Sequence, residues 1–308
     1  MAGDGVFVSY CHAQREWVHD RLLPVLRAGG VELVVDSERF VAGRTVVGQM
    51  DAAQDGAAKS LLVLSPEYLA SAYCRHEMQR AIARDPNFVE GHVLPLVRVA
   101  CPLPDEIVAG EPLHVELQDD GDAAQWEKLL QWADAELGTD APAWLRARSE
   151  LRRSLSRGKS VNLVVGGAGV RWRPLIVQLA ADLAAERRRL AVVDLERGST
   201  VPRRGLIGEI LAALNGTPVP VPAEPEDLAE FDRQIAGRAK SWLAIEHFDL
   251  AARRPQYGVD FFSALRYHLM ESRRLVLLVQ SRAPFATLLP RDHPLSAIDV
   301  QTVELPGR

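Results

Sequence analysis

Cysteine is almost missing from this chain. Its three thiols, Cys11, Cys74 and Cys101, leave one unpaired in any disulfide scheme and stand at no metal-ligand spacing. A disulfide-stapled secreted scaffold and a zinc cage are both excluded on that count. Long apolar runs are missing as well, since none approaches the roughly 18 residues that suffice to cross a bilayer. The start, Met1-Ala2-Gly3-Asp4-Gly5, has neither the basic nor the apolar region of a signal peptide. A cytoplasmic protein is expected, with reduced cysteines, no membrane segment and no bound metal. Low-complexity tracts and convincing internal repeats are absent too. With 47% hydrophobic and 25% charged residues, the chain has the composition of packed cores and not of disorder.

What is present is unevenly divided. Residues 1–140 carry 11 Lys and Arg against 23 Asp and Glu, whereas residues 141–308 carry 25 against 18. A chain of 308 residues has room for roughly two domains. The charge step places their boundary near 140, and it lets the acidic half of one copy attract the basic half of another.

Short apolar runs alternate with helical periodicity along both halves. In the first, strands are expected at Gly5–Tyr10, Val31–Asp36, Ser60–Leu64 and His92–Val97, with helices over 13–28, 45–57, 71–84 and 123–137. Gly138-Thr139-Asp140-Ala141-Pro142 breaks the pattern, and an Arg-rich helix follows, with Arg146, Arg148, Arg152, Arg153 and Arg157. Strands then recur at Ser160–Val165, Leu190–Leu195, Trp242–Glu246 and Leu275–Val279, with a last one near the end. Such alternation implies parallel sheets joined by right-handed crossovers. The expected fold class is α/β: a first domain over 1–137, a linker and Arg-rich helix over 138–159, and a second domain over 160–308. Only Trp144 and Trp172 lie near the arginines, so a solvated helix explains them better than a nucleic-acid surface does.

Chemistry concentrates at Glu77. It falls in the second turn of a helix beginning near Ser71, just beyond the carboxyl end of the apolar strand that closes at Leu64. In open parallel sheets, ligands bind at that edge. Three blocks stand in order around it: Val6-Phe7-Val8-Ser9-Tyr10, then Val35-Asp36 with a loop through Ala42-Gly43-Arg44, then Leu62-Val63-Leu64-Ser65-Pro66 leading to Cys74-Arg75 and Glu77. Together they resemble a TIR (Toll/interleukin-1 receptor) domain of bacterial type over about residues 4–137.

That resemblance implies a flavodoxin-like sheet and one of two activities. Many such domains cleave NAD at the nicotinamide–ribose bond with the helix glutamate, and others only self-associate to pass on a signal. NAD is then a substrate, and no cofactor is implied. Glu77 takes the catalytic position, with a solvated helix acid as the alternative. Tyr73 matches an aromatic position that is often Trp, either stacking on nicotinamide or filling a core. Tyr10, Cys11 and His12 follow the first strand at the site mouth, where relatives often carry Arg, and Leu64 closes the third strand beside them. The loop holding Asp36, Gly43 and Arg44 matches the segment that gates the site and joins neighbouring copies. Cys74 is expected to be a buried small hydrophobe.

In the second half, strand 160–165 runs into Gly166-Gly167-Ala168-Gly169-Val170-Arg171-Trp172-Arg173. The strand–loop–helix setting suits a phosphate loop, Gly-x-x-x-x-Gly-Lys-Ser/Thr, but Arg171 replaces the second glycine, Trp172 the lysine and Arg173 the hydroxyl. Glu246 ends a strand of the kind that carries magnesium ligands, and Gln280-Ser281 one that carries a polar sensor. The region resembles a degenerate nucleotide-binding core of STAND or AAA-type signalling ATPases, in which Gly166, Gly167, Gly169, Arg171 and Arg173 form the degenerate phosphate loop and ATP hydrolysis is not expected. A lid or sensor domain is expected to come from a separate protein or from a longer chain. The combined expectation is an NAD-cleaving effector in a defence or cell-death response, activated by self-association and controlled through its second domain by a protein partner or trigger. The alternative is a non-catalytic scaffold.

Overall fold

The computed structural model describes residues 5–35, 46–167 and 169–306. Asp36, Gly43 and Arg44, with the loop expected to gate the site, lie outside the described residues. Two compact units divide the chain, residues 1–145 and 146–308.

The first unit is a five-stranded parallel sheet in the order β2-β1-β3-β4-β5. Its strands are β1 (Val6–Tyr10), β2 (Leu33–Val35), β3 (Lys59–Leu64), β4 (Val93–Val97) and β5 (Val115–Glu116). The helices are α1 (Arg15–Trp17), α2 (Leu23–Ala28), α3 (Val46–Gly56), α4 (Pro66–Ala70), α5 (Ala72–Arg84), α6 (Asp105–Gly110) and α7 (Ala123–Trp132). β1 and β3 are buried nearly throughout, as strands covered on both faces by crossover helices must be. A π-turn at Val18–Leu22 precedes Pro24, whose missing N–H cannot continue the helical ladder. The 2-1-3-4-5 order is the flavodoxin-like doubly wound arrangement, and its crevice opens where the order reverses, at the carboxyl ends of β1 and β3.

The second unit has its own parallel sheet, ordered β10-β6-β9-β8-β7. β6 (Val161–Val165), β7 (Leu190–Asp194), β8 (Ser241–Glu246) and β9 (Leu275–Ser281) fall where the apolar runs place them, and β10 (Gln301–Leu305) is a last strand near the end. Around them lie α9 (Arg173–Ala185), α10 (Arg203–Asn215), α11 (Glu226–Ala236), α12 (Gly258–Met270) and the short α13 (Phe285–Leu288). One core runs from Val193 and Ile210 through Phe231 and Phe261 to Leu277.

α8 (Ala141–Ser156) precedes β6 and crosses the division at 145. The expectation of a solvated Arg helix holds for Arg146, Arg153 and Arg157, which are exposed, and fails at Arg148. Ala147, Arg148, Leu151 and Leu155 form a buried stripe at helical spacing. Arg148, only 4% exposed, donates from Nη2 to Asp182 of α9 at 2.7 Å. A buried guanidinium is tolerated because a carboxylate meets it.

Candidate active site

Ser71 caps α5, its Oγ accepting from the Cys74 N–H at 3.3 Å. The buried stripe of α5 then reads Cys74, Glu77, Met78, Ala81. Its i, i+3, i+4, i+7 spacing is that of a core-facing surface, and Glu77 occupies one of the core positions. The side chain is 4% exposed, which removes the solvated helix acid from consideration. A buried carboxylate is costly unless donors meet it. Ser9, penultimate in β1, donates its hydroxyl to Oε2 of Glu77. With the serine proton committed there, the Tyr68 hydroxyl, 2.8 Å from Ser9 Oγ, is the donor in the second bond. Burial, first, and then the Glu77 charge hold the Tyr68 phenol well above its ordinary pKa, so it keeps that proton. Gln54 of α3, 1% exposed, donates from Nε2 to the Glu77 carbonyl at 2.9 Å and ties the two helices together.

This relay sits at the β1/β3 crevice. Leu64 and Tyr68 pack with Cys74 and Met78, and Cys11 packs against the same cluster. Tyr73 is 61% exposed, one helical turn before Glu77; of the two roles expected for it, core packing is ruled out. Tyr10 does not join Glu77. Side chains alternate along a strand, so Tyr10 points to the face opposite Ser9, where its hydroxyl meets His19 Nε2 at 2.9 Å. His12 is exposed at the start of a 3-10 turn.

Sequence inspection overlooked Ser9, Tyr68 and Gln54 as site residues. The available signal was a hydroxyl at a core-facing position of an otherwise apolar strand. Ser9→Ala should destabilise the first unit by about 1–3 kcal/mol, because it strands a buried carboxylate and a buried phenol together; urea titration measures it. Tyr68→Phe should cost less, since it leaves the serine–carboxylate bond intact.

The three cysteines are free. Burial, more than any charge, pushes the Cys74 thiol up to about 11. A thiol raised in the folded state keeps its proton when the unfolded chain has lost it. Its stabilising contribution is therefore complete below pH 9 and fades as pH climbs towards 11. At pH 8 iodoacetamide should modify Cys74 in the native protein at least about tenfold more slowly than in urea; mass mapping reports the ratio.

In the second unit the loop after β6 leads into α9, with Gly169 at φ 86°, in the left-handed region that glycine tolerates. Gly166 and Gly167 are exposed and Arg171 is half-buried. Arg173 opens α9 and donates from Nη2 to Asp194 Oδ2 at 2.9 Å. Nη2 also lies 3.8 Å from Glu196, and Nε lies 3.7 Å from Glu246. His247 Nδ1 meets Asp194 Oδ1 at 2.8 Å. Buried Gln280 accepts the His247 backbone N–H at 2.9 Å. A magnesium–nucleotide complex does not fit these residues. The lysine charge is replaced by Trp172, and the position of the metal-binding hydroxyl holds a guanidinium that already engages the acids.

Residues 6–130 match the family model of the TIR domain. Over 72 residues the chain is 32% identical to human Toll-like receptor 1, a stretch that is 23% of this chain and 9% of the receptor. Toll-like receptor 6 of Bos taurus is 31% identical over the same length and the same shares. Among solved structures, the TIR domain of the Toll-related receptor TRR-2 from Hydra magnipapillata has a TM-score of 0.37 and 18% identity, covering 42% of this chain and 97% of that one. The Aeropyrum pernix ORC2 protein in its ADP form has a TM-score of 0.38 and 19% identity, covering 53% and 47%.

Proposed function

We propose that the TIR domain formed by residues 6–130 cleaves NAD at the nicotinamide–ribose bond when copies of the chain are brought together, and that the second unit controls this in a defence response. The observation that carries it is Glu77: an acid on the core-facing stripe of a helix, at the crevice of a 2-1-3-4-5 sheet, held by a serine. Nicotinamide leaves a pyridinium as a neutral molecule, so no general acid is required. Positive charge develops on the ribose instead, and a preoriented carboxylate away from bulk water stabilises it. Ser9 fixes the carboxylate and Tyr68 fixes Ser9. Tyr73 offers an exposed ring one turn away, suited to stacking on nicotinamide.

The burial of Glu77 to 4% also favours a second reading, in which the acid is a structural member of the Ser9–Tyr68 relay and the domain signals by self-association alone. Nicotinamide release separates the two. Dilute wild-type chain should be nearly silent, and the same chain clustered on a multivalent scaffold should release nicotinamide at a rate rising steeply with density, as expected when assembly selects a competent state. Clustered chain that assembles and releases none would leave the scaffold in possession.

A further inference from the structure

Asp194 and Glu246 are register partners at the carboxyl ends of the adjacent strands β7 and β8. Two acids so placed, 17% and 10% exposed, repel each other unless a cation lies between them. Glu196 and His247 approach the same point, and ligand atoms of Asp194, Glu196 and His247 lie within 4.8 Å of one another. Oxygen and imidazole donors at that spacing are a divalent-cation set. The cation actually present is Arg173.

We propose that Arg173 is an intramolecular replacement for a divalent cation, and that it masks a metal site made of Asp194, Glu196 and His247. This rests on the second unit alone and is independent of NAD cleavage. A guanidinium suits the task because it does not lose its charge and its planar fork reaches several carboxylates at once. Here it spans Asp194, Glu196 and Glu246 from the first turn of α9. Its orientation is reinforced by Trp172, whose ring lies 5.4 Å from the guanidinium and meets the His247 ring edge-on at 5.4 Å. His247 holds a left-handed backbone conformation, φ 55°, ψ 43°, that is uncommon for a non-glycine residue. That conformation delivers Nδ1 to Asp194. An entering metal ion would displace the Arg173–Asp194 bond and bring its own charge against a fixed positive one. Two of the three residues that distinguish this loop from a working phosphate loop, Trp172 and Arg173, thus build one device: the acids stay neutralised with no metal and no nucleotide.

The test is Mn²⁺ binding to the full chain, followed by loss of the free-ion paramagnetic resonance signal and by thermal melting. Arg173→Ala and Arg173→Gln should bind one Mn²⁺ at least about tenfold more tightly than wild type and gain melting temperature on adding it. Wild type and Arg173→Lys should do neither, and Asp194→Asn introduced into Arg173→Ala should abolish the gain. Two results would overturn the assignment: wild type binding Mn²⁺ as tightly as the Arg173 variants, or both neutral variants failing to bind whether folded or not.

Discussion

Glu77→Gln should lower nicotinamide release by the clustered chain at least about 100-fold, the size of effect seen when one preorganised electrostatic group is removed from an active site. The amide matches the carboxylate in shape, and its carbonyl oxygen still accepts from the Ser9 hydroxyl, so the relay through Tyr68 survives. What disappears is the negative charge that, on the proposed function, stabilises the developing oxocarbenium ion. A neutral amide is also cheaper to bury than an ionised acid at a position 4% exposed, so the melting temperature should hold or rise. Assembly should be unchanged, because the side chain lies inside the unit. Retained fold and clustering with lost turnover is the pattern of a reacting group. Equal release by wild type and Glu77→Gln, measured under the same clustering, would end the enzymatic account.

Much of the fold was legible because both sheets are parallel. Strands buried on two faces read as mainly apolar runs, and β1, β3, β4, β6, β8 and β9 appear as such, with Ser9 and Asn162 as polar interruptions; β7 is apolar too, although Val192 is exposed. β5 escaped notice because its two residues, Val115 and Glu116, are too short to show any period. Glu77 was legible through its motif; its environment was not. A helix periodicity fixed at Ser71 puts Glu77 beside Cys74 and Met78, but the serine that makes such burial tolerable comes from β1, 68 residues away in sequence. The same limit applies to α8. Counting arginines gave a basic surface, yet the 3.6-residue repeat turns Arg148 inward to Asp182. The loop after β6 was legible as damaged, because the lysine and hydroxyl positions are read directly. Its replacement chemistry was not, since Asp194, Glu196 and Glu246 meet Arg173, and His247 meets Asp194, only in three dimensions.

Asp227→Ala should destabilise the second unit by about 3–5 kcal/mol, the usual cost of leaving one member of a buried ion pair alone. Asp227, 0% exposed in the first turn of α11, accepts from Arg203 Nε and Nη2 at 2.9 Å each and from the Leu228 N–H at 2.9 Å. Hydrogen bonding to Asp227, more than any other influence, raises the Arg203 pKa; that support goes with the aspartate, but a guanidinium holds its charge at neutral pH without it and is left buried and unmatched. Glu224, 3.3 Å from Nη2 and 56% exposed, compensates weakly and sets the loss towards the lower end. Asp227→Asn retains an acceptor and should cost less; pairing Asp227→Ala with Arg203→Met should recover part of the loss, because no buried charge is then left unmatched. Urea denaturation followed by hydrogen exchange reads the effect at the β8 amides of the second unit, and those of β3 in the first should be unmoved. The variant also isolates the proposed control. If the second unit only regulates, artificially clustered Asp227→Ala chain should still release nicotinamide after the second unit has melted, whereas unclustered chain should lose its response to whatever the second unit senses. Loss of turnover under forced clustering, with the first unit still folded, would mean that the second unit takes part in the catalytic assembly itself.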